Sequence, residues 1–234
     1  MLSPRKFVIG DIHGHYDELM ELFDRVKFQF NNDILVSLGD LVDRGPKPLD
    51  VIEKLMQVKN FTHILGNHDE WCYQYLKNSQ TPIAWTSQGG AITMNAYKEN
   101  PELKEKHIEF FEKARLYFID TDSRLFVHGG YNPRIPFQQQ KNNKETLIWD
   151  RSLISTAMEY EQTNLSFNEF TEIFVGHTPT QFIGQSTPTK ISNLWMLDTG
   201  IHQSGKLTIM NVETKEYWQS TSKDNSININ KQHG

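Results

Sequence analysis

The stretch Gly39-Asp40-Leu41-Val42-Asp43-Arg44-Gly45 follows directly on the apolar run Ile34-Leu35-Val36-Ser37-Leu38. Two carboxylates and a guanidinium are thereby set in one short loop at the carboxyl end of a strand, where open α/β sheets bind ligands. The rest of the chain repeats this arrangement and supplies partners for it.

Lys6-Phe7-Val8-Ile9 reads as a short buried strand that ends in Gly10-Asp11-Ile12-His13-Gly14-His15. Leu19, Leu22, Phe23 and Val26 then recur at helical spacing, with Asp17 and Glu18 at the end where the helix dipole favours negative charge. After strand 34–38 a helix begins near Pro46 to Pro48, with Leu49, Ile52, Leu55 and Met56 on one face. Thr62-His63-Ile64-Leu65 is expected as the third strand, running into Gly66-Asn67-His68-Asp69, and Trp71, Tyr75 and Leu76 suggest a helix after it.

From Pro82 to Tyr97 the period is broken by Trp85, Gly89 and Gly90, while Pro101 to Ala114 reads as a helix with Leu103, His107, Phe110 and Phe111 inward. This middle section is expected to be mostly a wall. Residues 117–119 and 125–127 suggest a hairpin that ends in His128-Gly129-Gly130. Ile148-Trp149-Asp150-Arg151 follows a polar loop, and Glu172-Ile173-Phe174-Val175 runs into Gly176-His177-Thr178-Pro179. Leu194 to Leu197 ends at Asp198-Thr199-Gly200, and a further hairpin is expected through Leu207 to Val212. Residues 1–219 are expected to form a single domain. The tail 220–234, rich in Asn, Ser and Lys, is expected to be disordered.

The 234 residues, 37% of them hydrophobic, suffice for a sizeable core. No apolar run approaches the roughly 18 residues that span a bilayer, and the N-terminus carries no signal-peptide pattern, so a cytoplasmic protein without a membrane partner is expected. The single cysteine, Cys72, can make no internal disulfide and is expected as core filler. A formal net charge of −5 and the lack of a basic, aromatic-interleaved stripe argue against nucleic acid as a partner or substrate. Nothing indicates the oligomeric state.

Five strand-like runs thus end in Asp11/His13, Asp40, Asn67/His68, His128 and His177. Oxygen and imidazole donors without thiolate suit manganese, iron or zinc. So many ligands exceed what one ion needs and match two ions that share a carboxylate. Such a pair lowers the pKa of a bridging water and neutralises an anionic substrate, the chemistry of phosphate ester hydrolysis. Arg44, beside the carboxylates, can grip phosphate oxygens with two parallel hydrogen bonds, as lysine cannot.

Taken singly, each residue has a plainer reading. Asp-x-His after a strand is commonly a turn, Gly39 to Gly45 can be a tight turn with a surface ion pair, and His128 or His177 can be a core histidine. All five plain readings must hold at once to dismiss the site. For His15, His63, His107, His202 and His233 the plain reading stands. Trp149 reads as packing, and Asp198 reads equally as a loop cap or a site residue.

Gly10-Asp11-Ile12-His13-Gly14, Gly39 to Gly45, Gly66-Asn67-His68-Asp69, His128-Gly129-Gly130 and Gly176-His177-Thr178 together resemble the phosphoprotein phosphatase family of calcineurin-like metallophosphoesterases, in particular its compact bacterial serine/threonine protein phosphatases. The resemblance covers nearly all of residues 5 to 215. It implies an α/β fold, the calcineurin-like metallophosphoesterase β-sandwich of two mixed sheets flanked by helices, with a dinuclear centre at one edge. It further implies two divalent metal ions, manganese first, with iron or zinc as alternatives. Asp11 and His13 would hold the first, Asp40 would bridge, and Asn67, His128 and His177 would complete the second. His68 would be the general acid, oriented by Asp43. Arg44, with Asn67 beside it, would hold the phosphate, joined by Arg151 of the Trp-Asp-Arg element. One departure stands out: the family's protein phosphatases usually carry Glu after Asn-His, whereas this chain has Asp69, as do relatives that cleave diadenosine tetraphosphate.

The function implied is hydrolysis of phosphomonoesters, phosphoserine and phosphothreonine in proteins or a small phosphoester, by direct attack of a metal-bound hydroxide without a phosphoenzyme. The alternative is a dinucleoside polyphosphate hydrolase on the same core. A phosphate-sensing module without turnover is disfavoured, because no ligand and neither of His68 and Asp43 is missing.

Overall fold

The computed structural model describes residues 3–221. Strands β1 (Lys6–Ile9), β2 (Ile34–Ser37) and β3 (Asn60–His63) alternate with helices α1 (Tyr16–Arg25), α2 (Pro48–Leu55) and α3 (Asn67–Asn78). Helices α4 (Ile83–Trp85), α5 (Ala91–Glu99) and α6 (Lys104–Glu112) follow without a strand between them. A hairpin of β4 (Tyr117–Ile119) and β5 (Arg124–Val127) leads into α7 (Phe137–Gln140), α8 (Lys144–Trp149) and α9 (Ser152–Thr163). The chain closes with β6 (Glu172–Val175), β7 (Thr189–Ile191), β8 (Leu194–Met196), α10 (Ile201–Ser204), β9 (Thr208–Asn211) and β10 (Tyr217–Gln219).

These strands form two five-stranded sheets, in the orders β10-β9-β1-β2-β3 and β4-β5-β6-β8-β7. Each sheet is mixed: β1, β2 and β3 run parallel, as do β5, β6 and β8, while the remaining pairs are antiparallel. The inner strands β1, β2, β5 and β6 are buried along most of their length because both faces are covered. Alternation then assigns the faces. Val8, Val36, Phe126, Phe174 and Met210 point into the layer between the sheets, where the Phe126 and Phe174 rings stack at 4.9 Å. Phe7, Ile9, Leu35 and Ile209 face the first helical layer, with Leu19, Leu22, Ile52 and Phe111. Leu125, Val127, Ile173 and Val175 face the second, with Leu147, Leu153 and Ile154. Truncating Phe126 to alanine in the central layer would cost about 3–5 kcal/mol.

The two families of expected sheets and flanking helices are therefore present, with local differences. The third strand lies at 60–63 rather than 62–65, since Ile34 pairs with Asn60 and the register ends at Ser37 with His63. Ile64 instead bridges Arg115, joining the two halves of the sandwich. The helix placed after Asp69 starts at Asn67, so the Asn-His pair occupies its first turn. Only one strand falls within 207–212; its hairpin partner is β10. The expected disordered tail lies outside the described residues from 222 onward. Its first residues are anchored, as Leu207 N–H donates to Ser220 Oγ at 2.9 Å and Thr221 N–H donates to Glu21. Among the described residues no helix is long and apolar enough to cross a membrane.

Candidate active site

The parallel strands of both sheets finish at one edge of the sandwich. The loops after β1, β2, β3, β5 and β6 meet there, and with them the candidate metal-ligating, catalytic and phosphate-binding residues. Asp11, His13, Asp40, Arg44, Asn67, His68, Trp149, Arg151 and His177 line one cleft, and His128 lies fully buried behind Asn67.

Backbone hydrogen bonds knit the first two loops together. Asp40 C=O accepts from Ile12 N–H (3.0 Å) and His13 N–H (2.9 Å), and His13 C=O accepts from Gly45 N–H at 2.8 Å. His13, Asp40, Asp43, Arg44 and His177 all have φ between 47° and 72°. Non-glycine residues visit this left-handed region rarely, at a cost of order 1–3 kcal/mol each, and such strain gathers at functional sites. Gly66 is required for a different reason: a Cβ there would sit 2.1 Å from Asp40 Oδ1.

Asp40 is the centre of the arrangement. Its Oδ2 lies 3.6 Å from His13 Nε2, its Oδ1 lies 3.4 Å from His128 Nε2, and Oδ1 accepts from His68 N–H at 2.9 Å. Two groups of three side chains share it, His13 with Asp40 and His68, and Asp40 with His128 and His177, the donor atoms of each lying within 4.8 Å of one another. Asp11 stands beside them, its carboxylate accepting from His177 N–H at 3.1–3.2 Å.

The donor set fits metal ions on several counts. His13 Nδ1 donates to Val42 C=O (2.9 Å) and His128 Nδ1 to Leu38 C=O (2.7 Å), which leaves both Nε2 lone pairs free toward Asp40. The His128 lone pair faces Asn67 Oδ1 at 3.1 Å, two acceptors that a cation between them would satisfy. His177 Nε2 is buried without a hydrogen-bond partner. Burial, then His128 and Arg151, push the His177 imidazole down to about 2, and burial with Arg44 lowers His13 well below its ordinary value. Both rings are held neutral, as ligation requires. Conversely, burial, Asp198 and Asp40 raise Asp11, and Asp198 is pushed up to about 6 by burial and, against the pull of Gly200 N–H, by Asp40. Three buried carboxylates this close call for positive charge between them.

Arg44 and Arg151 both line the cleft. Arg44 Nη2 donates to His68 Nε2 at 3.0 Å, and Arg151 is exposed with its Nη1 3.5 Å from Thr178 Oγ1. His68 Nδ1 donates to Asp43 Oδ2 at 2.6 Å. Trp149 does pack, edge-on against Trp71 and His177, but it also lines the cleft. Asp198 serves as a cap, its Oδ1 accepting from Gly200 N–H at 2.8 Å, and also stands next to Asp11.

Some contributors escaped the sequence reading. The segment expected as a wall sends Gln88 to the cleft and Trp85 and Thr93 to Asp43. Broken periodicity around Gly89 and Gly90 was the only signal of it. His63, set aside as a plain histidine, holds Asp69 at 3.0 Å. Asp69 itself is fully buried and turned away from the cleft, accepting from Leu41 N–H (2.8 Å) and Gly66 N–H (3.2 Å). Burial alone would raise its carboxyl, but His63 and the two N–H donors bring it below the ordinary value. Asp69 thus braces the Asp40 loop against the Asn67 loop.

Known proteins resemble this chain in sequence and in fold. Bis(5'-nucleosyl)-tetraphosphatase PrpE of Halalkalibacterium halodurans is 30% identical over 137 residues, 53% of this chain and 56% of that protein, so the match spans about half the relative's length. Serine/threonine-protein phosphatase 1 of Salmonella typhimurium is 28% identical over 220 residues, 88% of this chain and 91% of the relative. A solved structure provisionally named as a diadenosine tetraphosphatase shares the fold, with a TM-score of 0.66 over 93% of each chain at 17% identity. The sequence pattern of the calcineurin-like phosphoesterase family matches residues 5–201, a span that includes every loop of the cleft. This chain therefore belongs to the calcineurin-like phosphoesterase family.

Proposed function

We propose that this protein is a phosphomonoesterase dependent on two divalent metal ions, acting on phosphoserine or phosphothreonine in proteins. The observation that carries the substrate class is the buried His68–Asp43 pair, bonded at 2.6 Å in the cleft wall. An alkoxide leaves phosphorus poorly unless it is protonated, whereas a nucleotide leaves as a stable phosphate anion. A carboxylate-held imidazole at the cleft therefore matters most when the leaving group is an alcohol.

In this reading Asp11 and His13 would hold one ion, Asn67, His128 and His177 would hold the other, and Asp40 would serve both. Manganese is the expected metal, and iron or zinc suits the same oxygen and nitrogen donors. Bound there, the two ions acidify a water molecule and offset the charge of the phosphate. Arg44 and Arg151, with Asn67, draw in and orient the phosphoryl oxygens. His68 Nε2 carries the proton to the leaving oxygen, and Asp43 holds the ring in the orientation for doing so.

A second reading, a dinucleoside polyphosphate hydrolase, is favoured by the PrpE relative. The half-buried Trp149 also lines the cleft, and an indole is a side chain on which a nucleobase can stack. Metal-stripped protein reconstituted with manganese, iron, zinc or magnesium decides between them, given a phosphothreonine peptide and diadenosine tetraphosphate side by side. Metal-restored phosphate release from the peptide supports the first reading; a marked preference for the dinucleotide overturns it.

A further inference from the structure

Asp43 is enclosed by a segment of chain to which the reaction assigns no part. Trp85 Nε1 donates to Asp43 Oδ2 at 2.6 Å, the same oxygen that His68 Nδ1 reaches at 2.6 Å. Thr93 Oγ1 donates to Asp43 Oδ1 at 2.6 Å and accepts from Asp43 N–H at 3.0 Å. The threonine hydroxyl thus ties the Asp43 side chain to its own backbone, in a residue whose φ of 72° is already strained. Both oxygens of the carboxylate are held, and Asp43, Trp85 and Thr93 are each fully buried.

The chain between these donors is shaped to deliver them. Trp85 ends α4, Thr93 lies in the first turn of α5, and the intervening turn breaks helical geometry at Gln88 and Gly89. Gly89, with φ of 106°, lies against Arg44, where a Cβ would come within 2.8 Å of Arg44 Cγ. At Gly90 a Cβ would stand 2.4 Å from Trp85 Nε1. Arg44 N–H reaches Gly89 C=O at 3.4 Å, so the same turn meets both members of the Asp43-Arg44 pair.

We infer that Trp85 and Thr93 are positioning residues for proton delivery: they fix the Asp43 carboxylate, and through it the His68 ring that faces the leaving oxygen. Packing alone asks for an indole and a small side chain at these places, but not for two short hydrogen bonds to opposite oxygens of one carboxylate. The inference rests on His68 as the proton donor.

The test compares Trp85→Phe, Thr93→Val and Thr93→Ser with His68→Asn in the metal-reconstituted full-length protein. Trp85→Phe and Thr93→Val are expected to lower kcat about tenfold on a phosphothreonine peptide and about threefold or less on p-nitrophenyl phosphate, whose leaving group needs no proton. KM stays unchanged, and Thr93→Ser, which keeps the hydroxyl, recovers the parent rate within about twofold. In the proton NMR spectrum the downfield His68 Nδ1–H signal, identified by its loss in His68→Asn, moves in Trp85→Phe and Thr93→Val and returns in Thr93→Ser. Equal losses on both substrates, or an unmoved signal, overturn the inference. The Thr93 pair decides if Trp85→Phe does not fold. If His68→Asn itself slows both substrates equally, the reading of His68 as donor falls and takes this inference with it. If His68→Asn is selective while the other variants are not, this inference alone falls.

Discussion

Arg44 Nη2 lies 3.0 Å from His68 Nε2, on the side of the ring opposite its bond to Asp43. A guanidinium only donates, so Nε2 accepts here and His68 carries its proton on Nδ1. In this arrangement the nitrogen that faces the cleft holds no proton to give. Phosphate oxygens compete for Arg44 through charge-assisted bonds stronger than the one to imidazole. Arrival of the phosphate would therefore free Nε2 to take up a proton from solvent, which it then passes to the leaving oxygen.

Arg44→Lys keeps the positive charge but loses the paired donors. The expected result is a rise in KM of about ten- to a hundredfold on both peptide and p-nitrophenyl phosphate substrates, from the loss of about 1.5–3 kcal/mol of charge-assisted bonding. Steady-state kinetics with each substrate measures it; an unchanged KM would remove Arg44 from phosphate binding.

Asp40→Asn removes a charge common to both groups of donors. Metal affinity is expected to fall by more than about a hundredfold, with turnover lost and the fold retained, because the mutation leaves the apolar layers untouched. Isothermal titration of the stripped protein with manganese, beside its circular dichroism, reports both. Retention of two tight sites in the variant would show that Asp40 is not shared.

Asp69→Glu tests whether the residue after Asn-His selects the substrate. Asp69 is fully buried and holds Leu41, Gly66 and His63 rather than the cleft. The extra methylene is expected to cost about 1–3 kcal/mol of stability through overpacking. The ratio of activities on phosphothreonine peptide and diadenosine tetraphosphate should stay as it was, and a changed ratio would mean that position 69 reaches the substrate after all.

Far from the cleft, His107 Nδ1 accepts from Tyr97 Oη at 2.8 Å while Nε2 donates to Glu53 Oε1 at 2.9 Å, an arrangement for the neutral ring. Burial holds His107 below its ordinary value of 6.5, against the pull of Glu53. A lowered histidine contributes stability that is present above 6.5 and is lost as pH falls through its folded value. Glu53, brought below 4.5 by Lys106 and His107 despite burial, loses its contribution only at still lower pH. Thermal melts of metal-stripped protein should therefore include a drop of about 3 °C between pH 7.5 and 5.5 that belongs to His107, beside what His13, His177, Asp11 and Asp198 contribute at the cleft. In His107→Gln that drop should shrink, and an equal drop in both proteins would locate the acid sensitivity elsewhere.

Much of this protein is legible in its sequence because the strands are short apolar runs and the ligands stand immediately after them. Lys6 to Ile9, Ile34 to Leu38 and Glu172 to Val175 announce strands without reference to anything distant, and Asp11, Asp40 and His177 inherit their positions from those strand ends. Donor type likewise follows from residue identity: carboxylate, amide and imidazole without thiolate. The limits of the third strand did not follow, since pairing with β2, rather than local hydrophobicity, begins it at Asn60.

Tertiary structure alone decided which side chains serve which. His63 and Asp69 are six residues apart and bond across a strand end and a helix start, while Trp85 and Thr93 reach Asp43 over 42 and 50 residues. No periodicity marks such contacts, because a hydrogen bond between distant residues depends on where two loops come to rest. The positive φ at His13 and Asp40 is held from outside, by backbone bonds between the first two loops, whereas Arg44 and His177 stand at the centres of local turns closed by Gly45 N–H to Asp43 C=O and Thr178 N–H to Gly176 C=O. Local chemistry determined what this chain can bind at its strand ends; the packing of two sheets determined that those ends meet.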